Sequence, residues 1–502
     1  MNLILAMACV HGSAAIDVLW SAETVTTNDG VYVHLSQGQI AQVDREGWTT
    51  LDLRGASATR MVASPDGESL LVFANWEECS VTGRRIRTVT DCVDKEGEIL
   101  TTYELAVYQG GERAGSVQIP GHFNALDFTS DGRTAVAYLD YQPGMDLPPG
   151  SIGDITQLLF INLMTVQSTS VPIGYPADRV LFNADDTRAV ILSQSEVVII
   201  ELETGDYDRV VTFPLTLDVD DEVTPDDVNL TPDGNYAIIT VEGGSELYVL
   251  DLVNESINLV SLDGVPSDMI VDGTQDRTVL AYEGRAGVDL MDHTYFEVES
   301  VELEEVANRI LQLDGQVLLY SDQGNKDVYR LDLETTELVE YRTKNPPSEL
   351  FVEPSGLYAV ALTTPEGGFA DDVEALFDVN YGVEILDLGS DDSIPLIATA
   401  RPLGIEFSGT GVDSQALVLL EDEAKLTLIN LPTGAATQLE LEAPPLGIGT
   451  WTDLYVITHD APLGMISFLD PQTGEIVSTV GGFGAVGLFP PDDRPLALRG
   501  AQ

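Results

Sequence analysis

Lysine is nearly missing from this chain, with four among 502 residues, at Lys95, Lys326, Lys344 and Lys425. Arginine raises the bases to only 23, against 83 acidic residues, and the net charge is −60. A field of that sign repels nucleic acid phosphates and anionic lipid headgroups, so nucleic acid is not expected as a partner, nor a membrane except through a lipid anchor. The acids are dispersed over the chain instead of gathered in a tail, which reads as a solvated surface, and counterions of a saline habitat would relieve its self-repulsion. Signatures of chemistry are missing too. There is no Gly-x-Ser-x-Gly elbow, no glycine-rich phosphate loop with lysine and no Cys-x-x-Cys-His haem motif. The five histidines, His11, His34, His122, His293 and His459, are scattered without metal-ligand spacing, and no cofactor is expected. No segment is apolar for long enough to span a bilayer, and none sustains a helical period.

What is present is a repeat. Ten times a tight-turn sequence or a close relative precedes a short apolar run, followed by a second run that often ends in an Asp-Leu-like pair. The clearest copy is Thr231-Pro-Asp-Gly234, then Tyr236-Ala-Ile-Ile-Thr240, then Glu246-Leu-Tyr-Val-Leu-Asp-Leu252. Other turns are Asn28-Asp-Gly30, Ser64-Pro-Asp-Gly67, Ser130-Asp-Gly132, Asn183-Ala-Asp-Asp186, Gln275-Asp276, Leu313-Asp-Gly315, Glu353-Pro-Ser-Gly356, Ser408-Gly-Thr-Gly411 and Gly449-Thr-Trp-Thr-Asp453. Glycine supplies positive φ while proline and aspartate favour tight turns, so each copy predicts a hairpin. Runs such as 189–192 and 197–200 are apolar on both faces, as strands are when sheets stack face to face. A strand-only unit of about 40 to 45 residues predicts an all-β fold, a β-propeller of four-stranded antiparallel blades. Strands A to D, numbered outward from the axis, fall at 125–129, 134–140, 157–163 and 168–173 in the third unit. About ten units are counted, although the units at Asn28 and Gln275 are weak. A single ring of eight or more blades is favoured over two smaller rings, and a strand pair at 487–498 is a candidate for completing a blade with the N-terminus.

The repeat resembles the bacterial YVTN and WD40-like (PD40-type) β-propeller family. Residues carrying the resemblance include Ser64 to Gly67, Thr231 to Gly234, Leu250-Asp-Leu252, Leu331-Asp-Leu333, Leu386-Asp-Leu388, Glu203-Thr-Gly205 and Asp470-Pro-Gln-Thr-Gly474. It covers nearly the whole chain and implies the fold, since the matching positions are turns and packing sites. The chain departs from the eukaryotic type in having no Trp-Asp dipeptide.

Three cysteines bear on compartment. Cys79 and Cys92 flank one inserted segment and read as a disulfide, which belongs to an oxidising compartment, or else as two free thiols. Such a bridge would stabilise by roughly 3 kcal/mol in the chain-entropy model. Residues 1–15 read as a leader and linker, with the propeller over 16–502. Leu3-Ile-Leu-Ala-Met-Ala-Cys9 is like the end of a lipoprotein signal peptide, with Cys9 the lipidated residue. Its brevity and lack of a preceding base leave a buried first strand as the alternative. A cell-envelope or secreted location and a monomer are expected.

The repeats are interrupted at 75–102, 141–156 and 364–381, between strands B and C, and at 214–227, between D and the next A. Strand parity puts all four insertions on one face, and loops on a rigid scaffold are where binding residues concentrate. Candidate binding residues there are Trp76, Arg84, Arg85, Arg87, Tyr141, Met145 and Phe369. The arginines either meet an acidic partner or neutralise neighbouring carboxylates; 141–150 is either a recognition loop or a lid. Asp218, Asp220, Asp221, Glu222, Asp226 and Asp227 are weak calcium candidates, dense in carboxylate but without the spacing of a known calcium loop. His459-Asp460 is either a base near the channel or the end of a B strand. Two functions remain: an exported binding or scaffold module gripping a protein, peptide or glycan through the insertion face, or a lactonase-like or quinoprotein-type enzyme with its site in the channel.

Overall fold

A computed structural model describes residues 24–482 except 36–37, 83, 86–98, 122, 141–154, 194–195, 203–206, 208–209, 216–222, 368–374, 391, 422, 460, 462–463 and 472. The chain forms ten sheets in series, each with four main strands in sequence order and antiparallel, the second with an added two-residue strand, arranged as a ten-bladed β-propeller. The units at Asn28 and Gln275, weak in sequence, are complete blades, Thr24–Thr27 to Gly47–Thr50 and Pro266–Asp272 to Val298–Glu302. All ten turn sequences join strands A and B. In the third blade the strands are Ala125–Phe128, Thr134–Tyr138, Gln157–Asn162 and Gln167–Pro172, within two residues of expectation.

The turn chemistry explains the motif. In Ser64-Pro-Asp-Gly67 the Ser64 hydroxyl donates to Asp66 at 2.5 Å and accepts the Ser69 N–H at 2.9 Å. Thr231 and Asp233 repeat this, and in blade 4 the Asn183 carbonyl oxygen takes the hydroxyl's place in accepting the Arg188 N–H. Neighbouring turns also touch. Gly132 has φ +67°, and a Cβ there would lie 2.5 Å from the Asp66 carboxyl carbon of the preceding blade, so glycine is required twice over.

Between blades the core is apolar on both sides of each sheet. Residues 189–192 and 197–200 of blade 4 are all buried. One face packs on Val136, Leu158 and Phe160 of blade 3, the other on Val228, Ala237 and Ile239 of blade 5. The ring closes in the same way, with Val31, Val33 and Val43 of blade 1 against Val456, Ile466 and Phe468 of blade 10. Both of these blades own four strands, so closure needs no strand from 487–498, which lies outside the described residues, as does the leader 1–15.

With sheets ~10 Å apart and strands ~4.8 Å apart, ten blades put mid-blade at a radius of roughly 16 Å and strand A roughly 9 Å from the axis. The channel is therefore wide. The B–C and D–A connections share one end of it, and all four insertions lie there. One expectation needs correction: segment 75–102 is not simply a loop, because strands B and C of blade 2 continue into it as far as Cys79 and Ile99. A four-residue helix, Ala375–Asp378, sits within 364–381.

Phe468→Ala is expected to cost about 3–5 kcal/mol by opening a cavity at the closing interface. Urea unfolding measures it, and a loss below about 1 kcal/mol would mean that the two blades do not pack tightly.

Candidate functional site

Seven of the inner strands share an irregularity at the insertion end. The ladder between A and B skips one residue between Ala58 and Arg60, Ala177 and Arg179, Pro225 and Asp227, Pro266 and Asp268, Pro347 and Glu349, Pro402 and Gly404, and Pro445 and Gly447. Proline at the first position, which offers no N–H to a ladder, suits such a start in five of them. A bulge re-aims the side chains beside it. The residue after the bulge forms a tier around the channel, and its charged members reach toward the next blade. Arg60 donates to the Asn124 carbonyl oxygen, Arg179 pairs with Asp227 at 3.0 Å, and the Asp268 carboxylate accepts the Ile310 N–H at 2.8 Å.

The bulged residue itself behaves differently from blade to blade. Thr59, Ser267 and Ser348 donate to backbone carbonyls at 3.2, 3.2 and 3.1 Å. Blades 4 and 5 carry Asp178 and Asp226 instead, and neither carboxylate has a hydrogen-bond or ion-pair partner among the described residues. Burial and then the Asp140 charge push Asp178 up to about 6. Partial loss of water, then the Asp227 and Glu242 charges, raise Asp226, whose side chain remains exposed. The flanking insertions are 141–156 and 214–227, the latter ending where strand A begins at Pro225. Further around the ring, burial alone pushes Glu406 up to about 7, and at Glu349 burial outweighs Arg401 to give about 7. Asp268 also stands at about 7 despite its bond from Ile310 and the nearby Arg309, and Asp127 at about 6 despite Tyr138 and Arg179. The inner strands are thus rich in acid, with Arg60, Arg179, Arg309 and Arg401 as cations near those acids.

The sequence candidates are placed as follows. Trp76 lies on the extended B strand of blade 2, half-buried. Arg84 and Arg85 form a two-residue strand paired with Cys79 and Glu78. Asp226 and Asp227 belong to an inner strand and not to a loop, and Asp227 is engaged by Arg179, Asn229 and the Val228 N–H. Cys79 is buried. Cys9, Arg87, Cys92, Tyr141, Met145, Asp218, Asp220, Asp221, Glu222 and Phe369 lie outside the described residues. No group of three or more His, Cys, Asp or Glu among the described residues is arranged to hold a metal ion.

His459 is the last residue of strand B in blade 10 and is buried. Its Nδ1 faces the Ala443 carbonyl at 2.9 Å and so carries the proton, leaving Nε2 to accept from the Ser467 hydroxyl at 2.8 Å. That is the geometry of a base and a nucleophile, but Ser467 is 1% exposed and bonds onward to Thr479. Burial lowers the His459 pKa and keeps the ring neutral, and the pair serves to anchor Ala443 in the crossover from blade 9.

No protein-family model matches the chain, and no curated protein matches its sequence. Solved structures do. A eukaryotic initiation factor matches over 83% of this chain and 95% of its own, at 12% identity and TM-score 0.52. Dihydro-heme d1 dehydrogenase NirN in complex with DHE matches over 67% and 71%, at 12% identity and TM-score 0.42. Apo AztD from Citrobacter koseri matches over 66% and 93%, at 14% identity and TM-score 0.37. At these identities the likeness shows the propeller fold alone.

The raised carboxyls make stability depend on pH in an unusual direction. Each binds its proton more tightly folded than unfolded, so their contribution is full below the ordinary carboxylate range and is lost as pH rises through about 6 to 7. Carboxylates such as Asp289, where bonds from Arg285, Tyr282 and Ser300 outweigh burial and lower the pKa, act oppositely and lose their contribution in stronger acid. Calorimetry is expected to give a higher Tm at about pH 5 than at about pH 8. Glu406→Gln should raise Tm at pH 8 and leave it unchanged at pH 5; equal effects at both would refute the assignment.

Proposed function

We propose that this propeller is a non-enzymatic binding module of the cell envelope whose insertion-bearing face takes a positively charged protein or peptide ligand. The observation that carries the reading is the pair Asp178 and Asp226. At the same bulge position three other blades use Ser or Thr, which satisfy themselves on backbone carbonyls, and two use Leu403 and Leu446, so an acid is not what the fold needs there. Two adjacent blades nevertheless hold carboxylates that no described residue pairs, Asp178 half-buried and Asp226 exposed, on strands next to two of the insertions. A lysine or arginine side chain would supply the missing countercharge, less screened at half-buried Asp178 than at exposed Asp226.

Three further parts belong to the same reading. The repeat is of the YVTN and PD40 kind, supported by the Ser/Thr-Pro-Asp-Gly turns. Cys79 pairs with Cys92, tying the base of the blade 2 insertion in an oxidising compartment. Cys9 serves as a lipid anchor after export.

Fluorescence anisotropy with a labelled octalysine peptide tests the ligand class. Affinity should rise between about pH 5 and pH 8 as the carboxyls ionise. The double substitution Asp178→Asn with Asp226→Asn should weaken binding by about tenfold or more, equivalent to ~1.4 kcal/mol. Binding that ignores both the pH and the double substitution would reject the acidic mouth as the site.

A further inference from the structure

Blade 2 is the sheet that outgrows the ring. Its B and C strands, Ser69–Cys79 and Ile99–Gln109, have eleven residues each and pair without a break from Ser69 opposite Gln109 to Cys79 opposite Ile99. Their neighbours stop earlier. Strand A ends opposite Asn75, and further out the short strand Arg84–Arg85 takes over its side of the sheet, opposite Glu78 and Cys79. On the other side strand D, Glu112–Gln118, ends opposite Glu104. One more backbone bond follows, from the Ile119 N–H to the Tyr103 carbonyl at 3.2 Å, before the chain leaves through Pro120. No described strand continues that side. Among the described residues the projection has strands in the A, B and C places and none in the D place.

The free edge has a definite polarity. In an antiparallel ladder alternate residues present both N–H and C=O to the same side. Tyr103 faces outward to Ile119, so Thr101 and Ile99 face outward as well. No described residue pairs with their backbone groups, which leaves an edge of the kind that proteins ordinarily cover. Beside it runs a groove of about 390 Å³ lined by Thr101, Thr102, Tyr103, Gln118, Ile119 and Gly121. The two faces of the projection differ. Thr101 lies opposite the exposed Glu77, while the exposed Leu100 lies on the other face opposite Glu78, with Trp76 two residues further in on that face.

We propose that this edge is a strand-addition site, where an extended partner segment with alternating basic and apolar residues docks as the missing fourth strand of the projection. Backbone bonds to Thr101 and Ile99 hold the segment. Basic side chains fall on the Glu77 face and apolar ones on the Leu100 face, because paired residues of adjacent strands share a face. The net charge of −60 favours a basic segment over an acidic one at any distance within screening range. The inference deepens the reading of the insertion face as a binding surface, naming a docking mode and a segment type.

The probe is a fluorescein-labelled, capped Lys-Val-Lys-Val-Lys-Val-Lys peptide titrated into the full chain, in three forms: unmodified, backbone N-methylated at the lysines, and N-methylated at the valines. Strand addition uses one alternate set of peptide N–H groups, so one methylated form should bind about tenfold or more weaker than the other. Thr101→Pro removes an outward N–H and should cause a similar loss, with Leu100→Asp weakening binding in a variant whose fold is not at stake. Asp178→Asn with Asp226→Asn should leave this peptide's N-methyl discrimination intact. Equal binding of the two methylated forms would overturn strand addition whatever the variants do. Discrimination that persists in Thr101→Pro would overturn its assignment to this edge. Loss only with the aspartate pair would transfer the peptide to the channel mouth, sinking this proposal while supporting the mouth as a site.

Discussion

Everything in this ring rests on the fact that each blade is apolar on both faces. A four-stranded sheet with strands such as Ala189–Leu192 and Val197–Ile200 buried on both sides cannot stand alone in water; it needs a neighbour on each side. Burial on that scale leaves the backbone of the D–A crossovers needing partners at the edge of the core, since unpaired buried peptide groups are costly. The blade being entered supplies them. Tyr108 donates to the Asp52 carbonyl at 2.9 Å, the Glu305 N–H donates to Tyr329 at 2.9 Å, the Lys344 N–H to Glu384 at 2.8 Å, and His459 holds Ala443. The apparent dyad at His459 is one member of this series, and that is why its hydroxyl partner is closed to solvent.

Ten blades also set a geometric condition. A ring this large holds its inner strands away from the axis, so strands A cannot pack across the channel as they would in a small ring. The charged tier after the bulges answers that condition by bonding around the circumference, Arg60 to Asn124, Arg179 to Asp227 and Asp268 to Ile310. The blades that break the pattern are informative by contrast. Gly404 and Gly447 contribute no side chain to the tier, and Asp178 and Asp226 add charge beside it that no described residue answers with a bond.

Fold and site were legible in the sequence to different degrees for physical reasons. A turn motif acts locally: Ser64, Asp66 and Gly67 make their bonds within a few residues, so the pattern is recognisable in most copies, least at Asn28 and Gln275, and ten turns mark ten blades. The insertions were legible because strand parity fixes the end on which a connection lies. The inner carboxylates were not, because what distinguishes Asp178 from dozens of surface acids is the absence of a partner fifty residues away in sequence. One signal existed. Proline followed two residues later by Asp, Glu or Gly recurs at Pro225, Pro266, Pro347, Pro402 and Pro445, and marks where each inner strand turns its side chains. The extension of blade 2 was hidden for another reason, since Trp76 to Cys79 and Ile99 to Thr102 look like loop flanks until their register is known.

Because each blade is built from one continuous stretch, nine of the ten boundaries between blades are held by packing and by a peptide crossover, and the boundary between blades 10 and 1 by packing without one. The molecule is mechanically a split washer. Its gap is kept shut by Val31, Val33, Val43, Leu454, Val456, Ile466 and Phe468, and any load that spreads the ring falls on those side chains first.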